Sequence, residues 1–420
     1  MYLRKFHISG LFGRYEHSID LADPISIIMG DNGVGKTVML RAIKAILECD
    51  FHTLLTMTFS AITVSFSHKK AGTITYIQHQ DEGIEVKTSA RTKEGFWVHQ
   101  TNISSNLPPY IREVALDRWI DIRSHNIYTA DDLRMKYHVE PYSVKDGILP
   151  GWYINLYKES NVLMIHTQRL YKFGESAQFG DILTINLYSR KLAEYMSSEL
   201  SSAGNDAAAF DRTFPVRLVR YLKANVKTTA NELIHDMQNL EAKRRKLSDI
   251  GVISEEENDL SKLFVLTDNE KDKVLRSVFK LYIKDSHEKL QRYDSLSQKA
   301  SLFLDIINSR FMYKYLTLDR TKGFVVRTHK DSMDEIPIDK LSSGEQNEII
   351  LFYDLIFNTP AQSLVLIDEP EISLHLEWLQ KMLEDFKRVS ELNGIRMLIA
   401  THSPDFVGNN YNLVQNLSYE

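Results

Sequence analysis

Eight consecutive residues, Gly30, Asp31, Asn32, Gly33, Val34, Gly35, Lys36 and Thr37, have the spacing G-x-x-x-x-G-K-[ST]. Glycines without a Cβ let successive backbone N–H groups turn toward one anion, Lys36 brings a point charge to the outer phosphate oxygens, and the Thr37 hydroxyl is a ligand for Mg2+. A second constellation is LVLIDEPE, from Leu364 to Glu371. Its apolar run ends at Asp368, which at a strand end holds Mg2+ directly or through water. Glu369, the next residue, is placed to orient and deprotonate an attacking water, the general-base role. His402, in ATHSPD at the end of another apolar run, can donate a hydrogen bond to a terminal phosphate. A third stretch, LSSGEQNEI from Leu341, is polar with one glycine and leads into an apolar run. It has the composition of a helix N-terminus that offers N–H groups and hydroxyls to an anion. The chain therefore carries two phosphate cradles, far apart in sequence, and the second needs a reason.

The elements around these residues must place them. Residues 3–8 and 25–29 read as strands flanking a turn at Gly10 to Gly13, and the apolar positions Met39, Leu40, Ile43, Ile46 and Leu47 have helical spacing. Strand, glycine loop and helix follow in the order a phosphate loop requires. Four β-rich runs between Ala61 and His99 read as an antiparallel meander. Residues 110–150, punctuated by Pro141 and Pro150, read as mostly helix and loop, and VLMIH at 162–166 as a buried strand. YKYLTL and GFVVRTH read as strands. SLVLIDEP and MLIATHSP are longer apolar strands suited to a parallel sheet covered on both faces.

From about 216 to 305 the sequence is charged and helical, with Leu233, Met237, Leu240 and Leu247 at heptad-like spacing and a second run through Leu275, Val278, Tyr282, Leu290, Tyr293 and Leu296. Gly251 and the acidic EEEND at 255–259 separate the runs. Two arrangements fit: an antiparallel helical hairpin projecting from the globular part, or a helical subdomain packed flat on the core. The expected fold class is α/β, with a mixed or parallel central sheet, an antiparallel β subdomain and an inserted helical hairpin. The expected division is 1–215, 216–305 and 306–420.

Composition narrows the classes. A chain of 420 residues, 43% hydrophobic, can bury one large core or two ordinary ones. Cys49 is the single cysteine, and the opening MYLRKFHISG is charged and strand-like, unlike a signal sequence. No apolar run approaches the roughly 18 residues of a membrane span, so a cytoplasmic protein without membrane contact is expected. A net charge of −5 gives no overall electrostatic reason to bind nucleic acid, although a local patch still could.

Taken in order, GDNGVGKT, LSSGEQ, LVLIDEPEISLH and LIATHSP resemble the motifs of ABC-type ATPases, in the branch that holds the structural-maintenance-of-chromosomes proteins, RecF and the overcoming-lysogenization-defect nucleases. The resemblance covers residues 1–60 and 335–410 closely and the middle loosely. It implies an ATPase using ATP and Mg2+. It places the family signature on Leu341, Ser342, Ser343, Gly344 and Glu345, which would contact the γ-phosphate of ATP bound to another subunit. A homodimer sandwiching two ATP molecules would explain the second cradle. Gln168, in MIHTQRL, best matches the family glutamine that touches the metal and the attacking water. Glu371, Ile372, Ser373, Leu374 and His375 match the loop that lines the dimer seam, while Leu376 stands where many relatives have proline.

Only 18 residues follow His402 in this sequence, so a metal-dependent nuclease domain, on the order of 100 residues, is not expected in the same chain. The stand-alone ATPases of bacterial antiphage systems such as Septu and PARIS are similar, including TQRL at 167–170 and DRTFPVRL at 211–218. That similarity implies a scaffold or sensor that controls a separate effector, a nuclease or toxin, in a higher-order homo-oligomer. A DNA repair or recombination ATPase is the alternative. Its candidate surface is KRRK at 243–246 with Arg190 and Lys191, although four basic residues on an exposed helix more often form a solvated face. A transporter ATPase subunit is a third class, against which the long insertion and DEPEISLH argue.

Overall fold

The structure is a computed structural model that describes residues 2–67, 72–80, 82–90, 93–100, 108, 110–115, 118–123, 127–128, 142–144, 149–158, 160–172, 182–223, 229–253, 273–330, 332–372 and 374–417. The chain divides into two compact units, residues 1–182 with 354–420, and residues 183–353. The fold is α/β, with a parallel central sheet, antiparallel sheets and helices.

Three strands open the first unit: β1 (Leu3–Leu11), β2 (Tyr15–Asp20) and β3 (Ile25–Met29). The helix α1 (Lys36–Glu48) follows the glycine loop and buries Met39, Leu40, Ile43, Ile46 and Leu47. A short helix, α2 (Phe51–Thr56), leads to the meander β4 (Ala61–Phe66), β5 (Thr73–His79), β6 (Gly83–Thr88) and β7 (Phe96–Gln100). With β1, β2 and a late strand these form a seven-stranded antiparallel sheet. Its inner face, with Phe6, Ile8, Ile62, Val64, Ile74, Tyr76 and Val86, shares one core with α1. Alternation of apolar and polar residues sets that face.

Two expectations are corrected here. β2 lies at 15–20, between the expected turn at Gly10 to Gly13 and the strand at 25–29, where no element was read, and its burial alternates at Tyr15, His17 and Ile19. Residues 110–150, read as mostly helix and loop, hold four strands among their described residues: β8 (Ile111–Ala115), β9 (Arg118–Asp121), β10 (Ile127–Tyr128) and β11 (Tyr142–Val144). Runs this short are too brief for a period of two to show against prolines. A helix α3 (Gly151–Tyr157) then brings Tyr153 and Tyr157 into the core, where both hydroxyls meet that of Tyr76 at 2.8 and 2.9 Å.

The second sheet carries the chemistry. It has five parallel strands in the order β12 (Val162–Ile165), β18 (Leu364–Asp368), β19 (Arg396–Thr401), β3 and β20 (Val414–Asn416). All five residues of β18 are buried, as a parallel strand covered on both faces requires. The same sheet therefore places the ends of β3, β12, β18 and β19 side by side at its carboxyl edge, where ligands of open α/β sheets bind.

After β12 come two short paired strands, β13 (Tyr171–Lys172) and β14 (Ile182–Leu183), then α4 (Thr184–Lys223), which runs through Pro215, α5 (Ala230–Asp249), α6 (Lys273–Gln291) and α7 (Asp294–Asn308). A reciprocal capping box of Thr229 and Glu232 starts α5, whose Leu233, Met237, Leu240 and Leu247 are buried. α6 packs on both α4 and α5. Arg217 pairs with Asp285, and Lys289 with Asp211 at 2.6 Å, which runs α4 and α6 antiparallel. The acidic EEEND lies outside the described residues. A three-stranded antiparallel sheet, β15 (Tyr315–Asp319), β16 (Gly323–Arg327) and β17 (Glu335–Ile336), precedes α8 (Ser343–Tyr353). Among the described residues no helix is long and apolar enough to cross a membrane.

Candidate nucleotide site

The loop from Gly30 to Thr37 joins β3 to α1. Gly35 caps the helix at φ 96°, a backbone that favours glycine, and a Cβ there would stand 2.5 Å from Leu11 Cδ2 and force that side chain to move. Lys36 is 6% exposed and turns back over its own loop, donating to Gly30 O at 2.7 Å and Asp31 O at 3.0 Å. An ammonium has three donors, so one remains for a phosphate oxygen. Behind the loop, buried His17 lies 3.1 Å through Nε2 from Val34 O and stacks on Tyr15. Because a carbonyl only accepts, Nε2 carries the proton. Burial lowers the His17 pKa and the Val34 bond pulls it back up, leaving it below the ordinary histidine value.

Thr37 and Asp368, expected to serve one metal, meet although they are far apart in sequence. The Thr37 hydroxyl donates at 3.1 and 2.9 Å to the two Asp368 oxygens. Asp368 is 5% exposed, and its side-chain hydrogen-bond partners among the described residues are hydroxyls, Thr37 and, at 3.5 Å, Thr167. A buried carboxylate facing a hydroxyl at the mouth of a phosphate loop is a hard-oxygen pair suited to Mg2+.

Glu369 takes a left-handed backbone at φ 46° and donates its N–H to Ala400 O at 2.9 Å. The turn carries its carboxylate out of the strand line to 3.6 Å from His402 Nδ1. His402 Nδ1 also lies 3.5 Å from Glu371 Oε1. Glu371, read from sequence as part of a loop lining a subunit seam, is buried, and the Thr401 hydroxyl donates to it at 2.6 Å. Ser373 of that loop lies outside the described residues, and Leu376 is exposed.

Gln168 is exposed just beyond β12, beside this edge, and makes no side-chain hydrogen bond among the described residues. Its neighbours do. Thr167 reaches Asp368, and the Arg169 guanidinium donates to Pro370 O at 3.2 Å. Sequence reasoning passed over Thr167, Arg169 and His17. The first two sit in the quoted MIHTQRL, where an arginine four residues past the end of a strand was the available signal.

In the second unit, Ser342 and Glu345 cap α8 reciprocally: Ser342 N and Oγ donate to Glu345 Oε2 at 2.8 and 3.0 Å, and Glu345 N donates to Ser342 Oγ at 3.3 Å. Lys314 Nζ donates to both Glu345 oxygens at 2.8 Å. Burial raises the Glu345 pKa, and the Lys314 and Ser342 bonds outweigh it, so the carboxyl ends below its ordinary value. Ser343 is exposed at the first turn, where helix N–H groups have no intrahelical partner, and Gly344 is buried behind it. Of the basic run at 243–246, Lys243 pairs with Asp294 and Arg244 with Glu241, leaving Arg245 and Lys246 exposed.

A family model described as AAA_15, AAA ATPase domain, matches residues 1–407. No curated protein matches. Among solved structures, the crystal structure of the Smc head domain with an extended coiled coil bound to the C-terminal domain of ScpA, from Pyrococcus furiosus, aligns with 100% of this chain and 94% of its own at 13% identity and a TM-score of 0.39. The SmcHead bound to the C-winged helix domain of ScpA aligns with 97% of this chain and 92% of its own at 12% identity and a TM-score of 0.36.

Proposed function

Because the chain belongs to the AAA ATPase domain family, we propose that it binds ATP with Mg2+ and hydrolyses it, using Lys36, Thr37, Asp368 and Glu369. The observation that supports this reading most is the meeting of the Thr37 hydroxyl with both oxygens of Asp368 at the mouth of the glycine loop. Asn32, Gly33 and Gly35 line the loop around the phosphates, with Lys36 on their outer oxygens. Thr37 and Asp368 would hold Mg2+, with Gln168 as a further ligand; the ion supplies positive charge that stabilises the transferring phosphoryl group.

Glu369 takes a proton from water as the water oxygen attacks the γ-phosphorus. The bond from that phosphorus to the β–γ bridging oxygen breaks, and its electron pair leaves with ADP. His402, held beside Glu369 and Glu371, donates a hydrogen bond to the γ-phosphate. Ser342, Ser343, Gly344 and Glu345 act on the nucleotide of a second copy, so two chains enclose two ATP molecules. The cycle of closing and opening controls a separate effector protein, a nuclease or toxin, in antiphage defence.

Glu369→Gln keeps the metal ligands and removes the base. ATP should bind with near wild-type affinity while steady-state hydrolysis falls by about two orders of magnitude or more. Hydrolysis at the wild-type rate would overturn the assignment of the base.

A further inference from the structure

We propose that Arg169 is a positioning residue for Glu369: its guanidinium fixes the turn that aims the Glu369 carboxylate at the attacking water. The inference rests on Glu369 being the base. β12 and β18 pair in parallel register up to Ile165 opposite Ile367, so the two chains leave the sheet side by side. Thr167 and Arg169 then bracket the catalytic pair from one side, Thr167 at Asp368 and Arg169 at Pro370.

The backbone of Glu369 needs such support. A left-handed conformation is strained for a residue with a Cβ and persists only where its surroundings impose it. One restraint comes from β19, where Ala400 O accepts the Glu369 N–H at 2.9 Å. Arg169 supplies the other. Because the proline ring fixes φ at Pro370, the soft angles left between the anchored Glu369 N–H and the Pro370 carbonyl are the φ and ψ of Glu369 and the ψ of Pro370, and a donor held on that carbonyl restricts them together. Arg169 is 6% exposed, so its charge is held inside the protein at this turn. A guanidinium is also suited to the task by its rigid fork of donors.

The test uses the full-length protein with single-turnover ATP hydrolysis, ATP titration calorimetry and thermal unfolding for Arg169→Met, Arg169→Lys, Glu369→Gln and the Arg169→Met, Glu369→Gln double variant. Arg169→Met should lower the hydrolysis rate at least tenfold, since small misplacement of a reacting group has effects of that size. ATP affinity should stay within about twofold of wild type. Arg169→Lys, which keeps one donor within reach, should recover part of the rate. In the Glu369→Gln background, Arg169→Met should cause no further loss, because it acts only through the carboxylate already removed.

A normal rate in Arg169→Met, or a loss that multiplies with that of Glu369→Gln, overturns the positioning role. If Arg169→Met does not fold, Arg169→Lys against Arg169→Gln decides by the same rate and affinity measurements. A wild-type rate in Glu369→Gln alone instead marks failure of the base assignment.

Discussion

Thr401 donates its hydroxyl to Glu371 Oε1 at 2.6 Å, and the same oxygen accepts the backbone N–H of His402 at 3.2 Å. One buried carboxylate thereby ties the end of β19 to the turn after β18 and sets where His402 starts. Glu371→Leu should leave the fully buried Thr401 hydroxyl without its acceptor, at a cost of about 1–3 kcal/mol. Glu371→Gln keeps an acceptor and should lose less. Urea unfolding of the two variants measures the difference, and equal stability would remove Glu371 from this role.

Gly35 and Gly33 both have positive φ, 96° and 89°, but only at Gly35 does a Cβ meet a neighbour, Leu11 Cδ2 at 2.5 Å. Gly35→Ala should therefore weaken ATP binding more than Gly33→Ala. Each should pay at least the roughly 1 kcal/mol of a left-handed alanine. Calorimetric titration of the two variants checks the order, and the reverse order would contradict the geometry.

Glu345 is held ionised by Lys314 and Ser342 against burial, so its pKa in the folded protein lies below that of the unfolded chain. A depressed carboxyl stabilises the fold above its unfolded pKa, about 4.3, and loses that contribution as pH falls through the folded value. The stability gap between wild type and Glu345→Gln should be present at pH 7 and shrink below about pH 4. A gap that widened in acid would show that burial dominates.

Much of the site was legible because its signals are local. The glycine loop, the apolar strands ending at Asp368 and Thr401, and the helical spacing of Met39, Leu40 and Ile43 each lie within a dozen residues, and all are found where the sequence placed them. What escaped was non-local. The hold of Arg169 on Pro370 and of Thr401 on Glu371 depends on which strands neighbour one another in the parallel sheet, which spacing along the chain does not encode. β2 was missed for another reason: in EHSID the buried alternate positions include a histidine, so the strand lacks an apolar rhythm. The same buried histidine supports Val34, a contact that only the fold reveals.

In the proposed dimer each ATP is completed by the signature of a second copy. Ser343→Asp tests the signature without burying a charge, since Ser343 is exposed and an acidic residue suits the first turn of a helix; its charge should repel a γ-phosphate. Lys36→Ala should abolish ATP binding at its own loop. Each variant alone should be inactive, whereas in a mixed dimer one composite site carries both lesions and the other carries none. The decisive measurement is ATPase activity across mixing ratios of the two purified variants, with mixed dimers confirmed by differential tagging. Activity should return and peak near equal amounts, at up to about a quarter of wild type when half of the dimers are mixed and each has one intact site. Confirmed mixed dimers as inactive as either parent would contradict the proposed dimer.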